Sequence, residues 1–205
     1  SLYGHSYGEK IIPIYEGVDR TLQKVSENKE LNKTFKQPFF LYVGNFYPHK
    51  NVETLIKAFS KIEYSYQLVL VGPDDYFAKR LLKLVQELKQ ESKIIFYHNA
   101  TPADLKFFYT EAQALIHPSL SEGFGLPLLE ASYCNCPVIG SNIEVFKELM
   151  SDEYLSFDPH DGEDIEKKIH QFIEKRPVFD YKHILSKYSF EQMTKETMNI
   201  YTSCL

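Results

Sequence analysis

SLSEGFGLPLLE (residues 119–130) sets two carboxylates, Glu122 and Glu130, eight positions apart. Between them stand two glycines, a proline and an apolar run. Gly123 and Gly125 permit positive φ and close approach of the backbone. Pro127 suits the first turn of a helix, where its missing N–H is no loss. The stretch therefore reads as a turn that opens a helix from about Pro127 to Tyr133. The free N–H groups around Phe124, Gly125 and Leu126 then face out of the helix mouth, which favours an anion such as phosphate. The two carboxylates would repel that anion, and they accept hydrogen bonds from hydroxyls. One on each side of a phosphate cradle fits a diphosphate ligand with hydroxyls at both ends, as in a nucleoside diphosphate sugar. The plainer alternative leaves Glu130 as a favourable charge near a helix N-terminus and Glu122 as a solvated loop residue.

Outward from this stretch, short apolar runs alternate with amphipathic ones. Strands are expected at 39–44, 67–72, 93–97, 114–118, 137–140 and 154–158. Helices are expected at 51–62 (with Asn51 as N-cap), 74–90, 101–112 (capped by Thr101, with Pro102 and Asp104), 142–150 and 162–175. Two more follow near 179–187 and 189–203. Such alternation predicts an α/β fold: a Rossmann-like parallel sheet of about six strands with helices on both faces. Residues 1–37 read as a linker, with a connecting strand and turn in IIPIY (11–15) and EGVD (16–19). The sheet domain is expected over 38–178 and the C-terminal helices over 179–205. Right-handed crossovers put every strand's carboxyl end at one edge, where open sheets bind ligands. The loops there, 44–51, 72–75, 97–101, 118–127 and 140–142, hold the distinctive glycines and polar residues.

The totals set bounds. The chain has 205 residues and a net charge of −5, which argues against a nucleic-acid partner. No apolar run is long enough for a membrane span, and the N-terminus lacks the apolar core of a signal peptide. There are three cysteines. Cys134 and Cys136 read as small buried hydrophobes rather than zinc ligands, and the odd count without a disulfide framework fits a reducing cytoplasm. Asp74 and Asp75 read as helix caps rather than a metal–diphosphate site. The histidines are scattered and form no ligand set. The Lys-rich faces at 79–93 and 167–175 read as solvated helix surfaces, with a weak membrane-facing patch as the alternative.

HPSLSEGFGLPLLEASYCNCPVIGSN (117–142) resembles the nucleotide-sugar motif of the group 1, or family 4, retaining glycosyltransferases of the GT-B fold. The likeness extends over about residues 10–203, through IPIYEGVD (12–19), FLYVGNFYPHKNVETLIKAF (40–59), LVLVGP (68–73), FDPHDGEDI (157–165) and the last helix. It implies that this chain resembles the C-terminal, donor-binding half of a two-domain enzyme, with the acceptor bound mainly by an N-terminal domain. It implies further that Glu122 meets the donor sugar and that the amides of Gly123, Phe124, Gly125 and Leu126 meet the sugar and diphosphate. Glu130 then binds the ribose. Lys50 stabilises the leaving diphosphate, beside Gly44 and Asn45, and His98 and Asn99 lie near the base. No metal and no separate cofactor are expected. The implied reaction moves a hexose, from GDP-mannose or a UDP-hexose, to an acceptor hydroxyl in bacterial surface polysaccharide or glycolipid synthesis. The implied place is the cytoplasm, with peripheral contact at the inner face of the membrane left open.

Two departures matter. Asn45 stands where many members carry Arg, so leaving-group stabilisation loses a charge there. Asn135 stands where Gly is common, compatible with a left-handed cap. The reading from another class is a non-catalytic nucleotide-sugar-binding module that needs a separate partner chain. A sugar-nucleotide epimerase of similar architecture lacks an acid/base set in this sequence.

Overall fold

The structure, a computed structural model, describes residues 12–18 and 21–203. Six strands form one parallel sheet: β1 (Phe39–Val43), β2 (Gln67–Val71), β3 (Ile94–Tyr97), β4 (Leu115–His117), β5 (Val138–Ser141) and β6 (Leu155–Phe157). Their order is β3-β2-β1-β4-β5-β6. The chain winds outward from β1 to β3, then returns to place β4 on the other side of β1. Leu41 of β1 pairs with Leu115 of β4. This is the doubly wound, Rossmann-like arrangement that the alternating pattern predicts.

Both sheet faces are covered, and the strand pleat sorts side chains between them. Phe39, Leu41, Val69, Val71, Leu115 and Val138 enter one core. Phe40, Tyr42, Leu68, Leu70, Ile116 and Ile139 enter the other. The second core is closed by helices α2 (Val52–Ser60), α3 (Tyr76–Glu87) and α7 (Gly162–Lys175), numbered after the short α1 (Thr21–Lys24). The first is closed by α4 (Pro102–Glu111), α5 (Leu126–Tyr133), α6 (Glu144–Met150) and α8 (Lys182–Lys187). Expected caps are found: Asp75 Oδ1 accepts from the Ala78 amide at 2.9 Å, and Thr101 with Asp104 forms a full capping box at α4. Asn135 is left-handed, with φ 54°. The last helix, α9 (Phe190–Ser203), buries none of its residues. Among the described residues no helix is long and apolar enough to cross a membrane.

Two expectations need correction. Residues 12–17 carry no strand; the segment makes a single β-bridge, Val18 to Ser189, with the Val18 amide 3.0 Å from the Tyr188 carbonyl oxygen. Ile11 and Asp19 lie outside the described residues. The segment is nonetheless docked: a Cβ on Gly17 would stand 2.4 Å from the Phe190 nitrogen, so only glycine permits this approach.

Asn51 is the N-cap residue of α2, as expected, but its side chain makes no capping bond to the helix amides. Its backbone is left-handed, with φ 57°. Its Nδ2 instead donates to the carbonyls of Pro118 at 3.1 Å and Pro159 at 2.7 Å, and its Oδ1 accepts from Thr54 Oγ1 at 2.6 Å. One side chain thus joins the loops after β1, β4 and β6. Asn51→Gly retains the backbone conformation and loses these bonds, so it is expected to lower stability by about 1–3 kcal/mol. Asn51→Ala adds left-handed strain of about 1 kcal/mol. Urea unfolding of the three proteins checks this, and a loss under about 0.5 kcal/mol in both variants contradicts it.

Candidate functional site

The strand order reverses between β1 and β4, and a crevice opens there because adjacent loops run to opposite sides. The loop after β1 supplies Lys50, and the loop after β4 supplies Glu122. The Leu120 amide donates to the His49 carbonyl at 2.8 Å, so these loops meet through backbone as well as through Asn51.

Four side chains converge at this seam. Lys50 Nζ lies 2.8 Å from both oxygens of Glu122. Ser119 Oγ donates to Glu122 Oε1 at 2.7 Å, and His117 Nε2 stands 3.0 Å from the same oxygen. The Lys50 and Glu122 side chains are only 15% and 9% exposed. Burial alone would raise the Glu122 carboxyl, but hydrogen bonds from His117, Lys50 and Ser119 outweigh it and bring the group down to about 2. His117 is fully buried, and burial holds it below the ordinary imidazole value despite Glu122. It is therefore neutral near pH 7, and the proton facing the carboxylate sits on Nε2.

The turn behind Glu122 has two different glycines. Gly125, the first residue before α5, has φ 112°, and a Cβ there would press on Phe146 at 3.0 Å and Leu149 at 3.2 Å. Fold and packing both require glycine. A Cβ on Gly123 would meet nothing within 4 Å, so the protein's own packing leaves that position open. Among the described residues, the amides of Gly123, Phe124, Gly125 and Leu126 make no hydrogen bond to the protein. Pro127 takes the second helical position, next to Leu126.

These groups line a cleft of about 620 Å³. Lys50, Glu122 and residues 123–127 form one side. Ile14, Tyr15, Glu16, Glu148 and Tyr188 belong to the other. That second wall joins the N-terminal segment to the C-terminal one. Tyr15 and Tyr188 meet edge to face at 5.3 Å, Tyr188 contacts Phe124 at 5.7 Å, and Tyr15 Oη donates to Glu148.

The other expected site residues lie apart from the cleft lining. Glu130 sits inside α5 and accepts from Tyr109 Oη at 2.7 Å; burial, then Glu130, pushes that phenol well up. Gly44 and Asn45 begin the loop after β1. Asn45 accepts from Tyr42 Oη through its carbonyl and from the Tyr47 amide through its side chain at 3.3 Å. His98 Nδ1 bonds the Gly72 carbonyl at 2.9 Å, and Asn99 is left-handed with φ 56°. His117 and Ser119 were not singled out from sequence, where the histidines read as scattered. His117 instead ends β4 directly beneath Glu122. Three-residue spacing from Ser119 to Glu122 is the one local signal that pointed there.

The family described as glycosyl transferases group 1 matches residues 23–192. O-antigen chain mannosyltransferase RfbU of Salmonella typhimurium is 34% identical over 194 residues, covering 93% of this chain and 52% of that protein. O-antigen chain mannosyltransferase B of Escherichia coli is 31% identical over 174 residues, covering 80% of this chain and 46% of that protein. The chain spans about half the length of the curated relatives it matches. The crystal structure of a glycosyltransferase from Rickettsia africae superposes with a TM-score of 0.83 at 20% identity, over 95% of this chain and 57% of that one. That likeness concerns the fold.

Two outcomes are expected. Glu122 has a folded value below its unfolded one, so its stabilising contribution is complete above about pH 4.5 and fades as pH falls toward about 2. The stability gap between the parent and Glu122→Gln should therefore shrink across that window, by up to about 3 kcal/mol; parallel urea-unfolding curves at each pH would contradict the pairing. Gly125→Ala should cost more than about 2 kcal/mol through strain and overpacking, whereas Gly123→Ala should stay within about 0.5 kcal/mol of the parent.

Proposed function

The chain belongs to the group 1 glycosyl transferases, and from that premise we propose that it binds the nucleotide-sugar donor for a hexosyl transfer. In the whole protein the reaction moves mannose from GDP-mannose to a hydroxyl of a growing bacterial surface polysaccharide, with retention at the anomeric carbon. Two relatives above 30% identity that carry the name mannosyltransferase support the sugar. The resemblance of residues 117–142 supports the retaining outcome. A UDP-hexose is the competing donor. The acceptor is bound mainly by a domain N-terminal to this one, and donor exchange takes place in the cytoplasm.

The observation that carries this reading is the open turn at Gly123. A glycine that packing does not demand, beside unbonded amides at a helix start, suits close approach of a ligand anion. Lys50 completes the cradle. An ammonium has three N–H donors; two face the Glu122 oxygens, and the third serves a phosphoryl oxygen without breaking the ion pair. Charge that builds on the departing diphosphate is then met by groups already in position. Glu122 accepts a hydroxyl of the sugar, and Glu130, one turn into α5, that of the ribose, with Gly44, Asn45, His98 and Asn99 along the edge toward the base. No metal is needed by this arrangement, because lysine and amides take the neutralising part.

Calorimetric titration of the chain with GDP, GDP-mannose, UDP and UDP-glucose tests the proposal. At least one sugar nucleotide binds, and Gly123→Val weakens it by about tenfold or more with little loss of stability. Lys50→Met weakens free and sugar-bearing nucleotide alike. Glu130→Gln does the same, whereas Glu122→Gln removes mainly the preference for the sugar-bearing form. Absence of binding by all four compounds, or equal losses in both glutamate variants, refutes the assignment.

A further inference from the structure

His117 is not used by the reaction as proposed, and its environment is unusual. The imidazole is fully buried. It stacks on Tyr42 at 5.5 Å and 14° and lies against Phe146 at 5.6 Å. Its Nδ1 has no hydrogen-bond partner. A bare ring nitrogen in an apolar slot is a cost that a phenyl ring would avoid. Packing therefore does not account for an imidazole here, and the remaining feature is the Nε2–H aimed at Glu122.

The lone pairs of that carboxylate show what the contact does. Oε1 receives His117, Ser119 and Lys50, while Oε2 receives Lys50 alone. A carboxylate oxygen offers about two acceptor sites, so Oε1 is saturated and Oε2 retains capacity. We infer that His117, with Ser119, is a positioning residue for Glu122: together they occupy Oε1 and leave Oε2 as the oxygen presented to a donor-sugar hydroxyl. The identity of that hydroxyl's owner rests on the donor-binding reading above; the positioning of the carboxylate does not.

The surroundings keep this donor constant. The groups that face the ring are Tyr42 from β1, Phe146 from α6, Glu122 and Ser119 from the loop after β4, and Lys50 from the loop after β1. Glu122 and Lys50 are the charged ones and they offset each other. The ring thus has no net local charge drawing a second proton onto it, and it acts as a fixed N–H rather than a titrating switch.

The test compares His117→Phe, His117→Gln and Ser119→Ala with the parent, using two readouts. Carbon-13 NMR of the Glu122 carboxyl across the acid range reads positioning directly, and calorimetry with GDP and GDP-mannose reads sugar preference. His117→Phe should keep the thermal midpoint of the parent or raise it. Its Glu122 should titrate about one unit higher, and its preference for GDP-mannose over GDP should fall roughly tenfold. His117→Gln, whose amide nitrogen reaches the same point as Nε2, should restore both readouts. Ser119→Ala should move them in the same direction as His117→Phe. Should His117→Phe fail to fold, His117→Asn takes its place, because its amide stops short of Glu122. An unmoved Glu122 titration in His117→Phe, or a glutamine variant as impaired as the phenylalanine one, overturns the inference. If the parent binds neither compound, the donor reading falls, and the carboxyl titration alone decides the positioning role.

Discussion

A carboxylate taken out of water is costly unless donors surround it. Glu122 is surrounded by Lys50, His117 and Ser119, and that requirement organises the sheet edge. Lys50 arrives from the loop after β1 and Glu122 from the loop after β4, the two strands between which the winding direction reverses. The ion pair therefore ties together the two loops that flank the crevice. Backbone contact between Leu120 and His49, and the three-way bonding of Asn51, hold the same seam from behind. The turn at residues 123–125 projects from a foundation fixed on both sides, which is what a preorganised binding surface needs.

The same network has an electrostatic consequence. Lys50 and Glu122 cancel, His117 is neutral, and Asn45 adds no charge. In the donor site proposed above, the grip on an anion falls on oriented amide dipoles at the start of α5, with Lys50 contributing one remaining N–H. Dipoles at a helix mouth act at short range. Such a site discriminates by geometry, through how closely a phosphate can approach Gly123, more than by long-range attraction. This accords with a chain whose overall charge is negative.

Much of this was legible in the sequence. Period-two alternation is hidden in strands buried on both faces, yet the spacing of apolar runs with glycine stops still located all six strands. Thr101-Pro102 and Asp75 announced their caps through local chemistry. The turn at Gly123 and Gly125 was readable as a helix start. What stayed hidden depended on contacts distant in sequence. Lys50 meets Glu122 across 72 positions, and no periodicity encodes that. Asn51 follows a lysine and precedes a helix, the pattern of an N-cap; only the packed loops after β4 and β6 reveal it as a bridge. Gly17 looked like part of a loose linker because its neighbour, Phe190, lies at the other end of the chain. His117 reads as one of several scattered histidines until the fold sets it beside Glu122.

The central claim is that the amides of residues 123–126, with Lys50, hold the diphosphate of a sugar nucleotide. Nitrogen-15 NMR of the labelled chain during titration with GDP-mannose tests it most directly. The backbone resonances of Gly123, Phe124, Gly125 and Leu126 and the Lys50 ammonium are expected to move together, with the largest changes in the chain. Saturable binding that leaves those four amides unmoved, with the shifts centred on another surface, would contradict it.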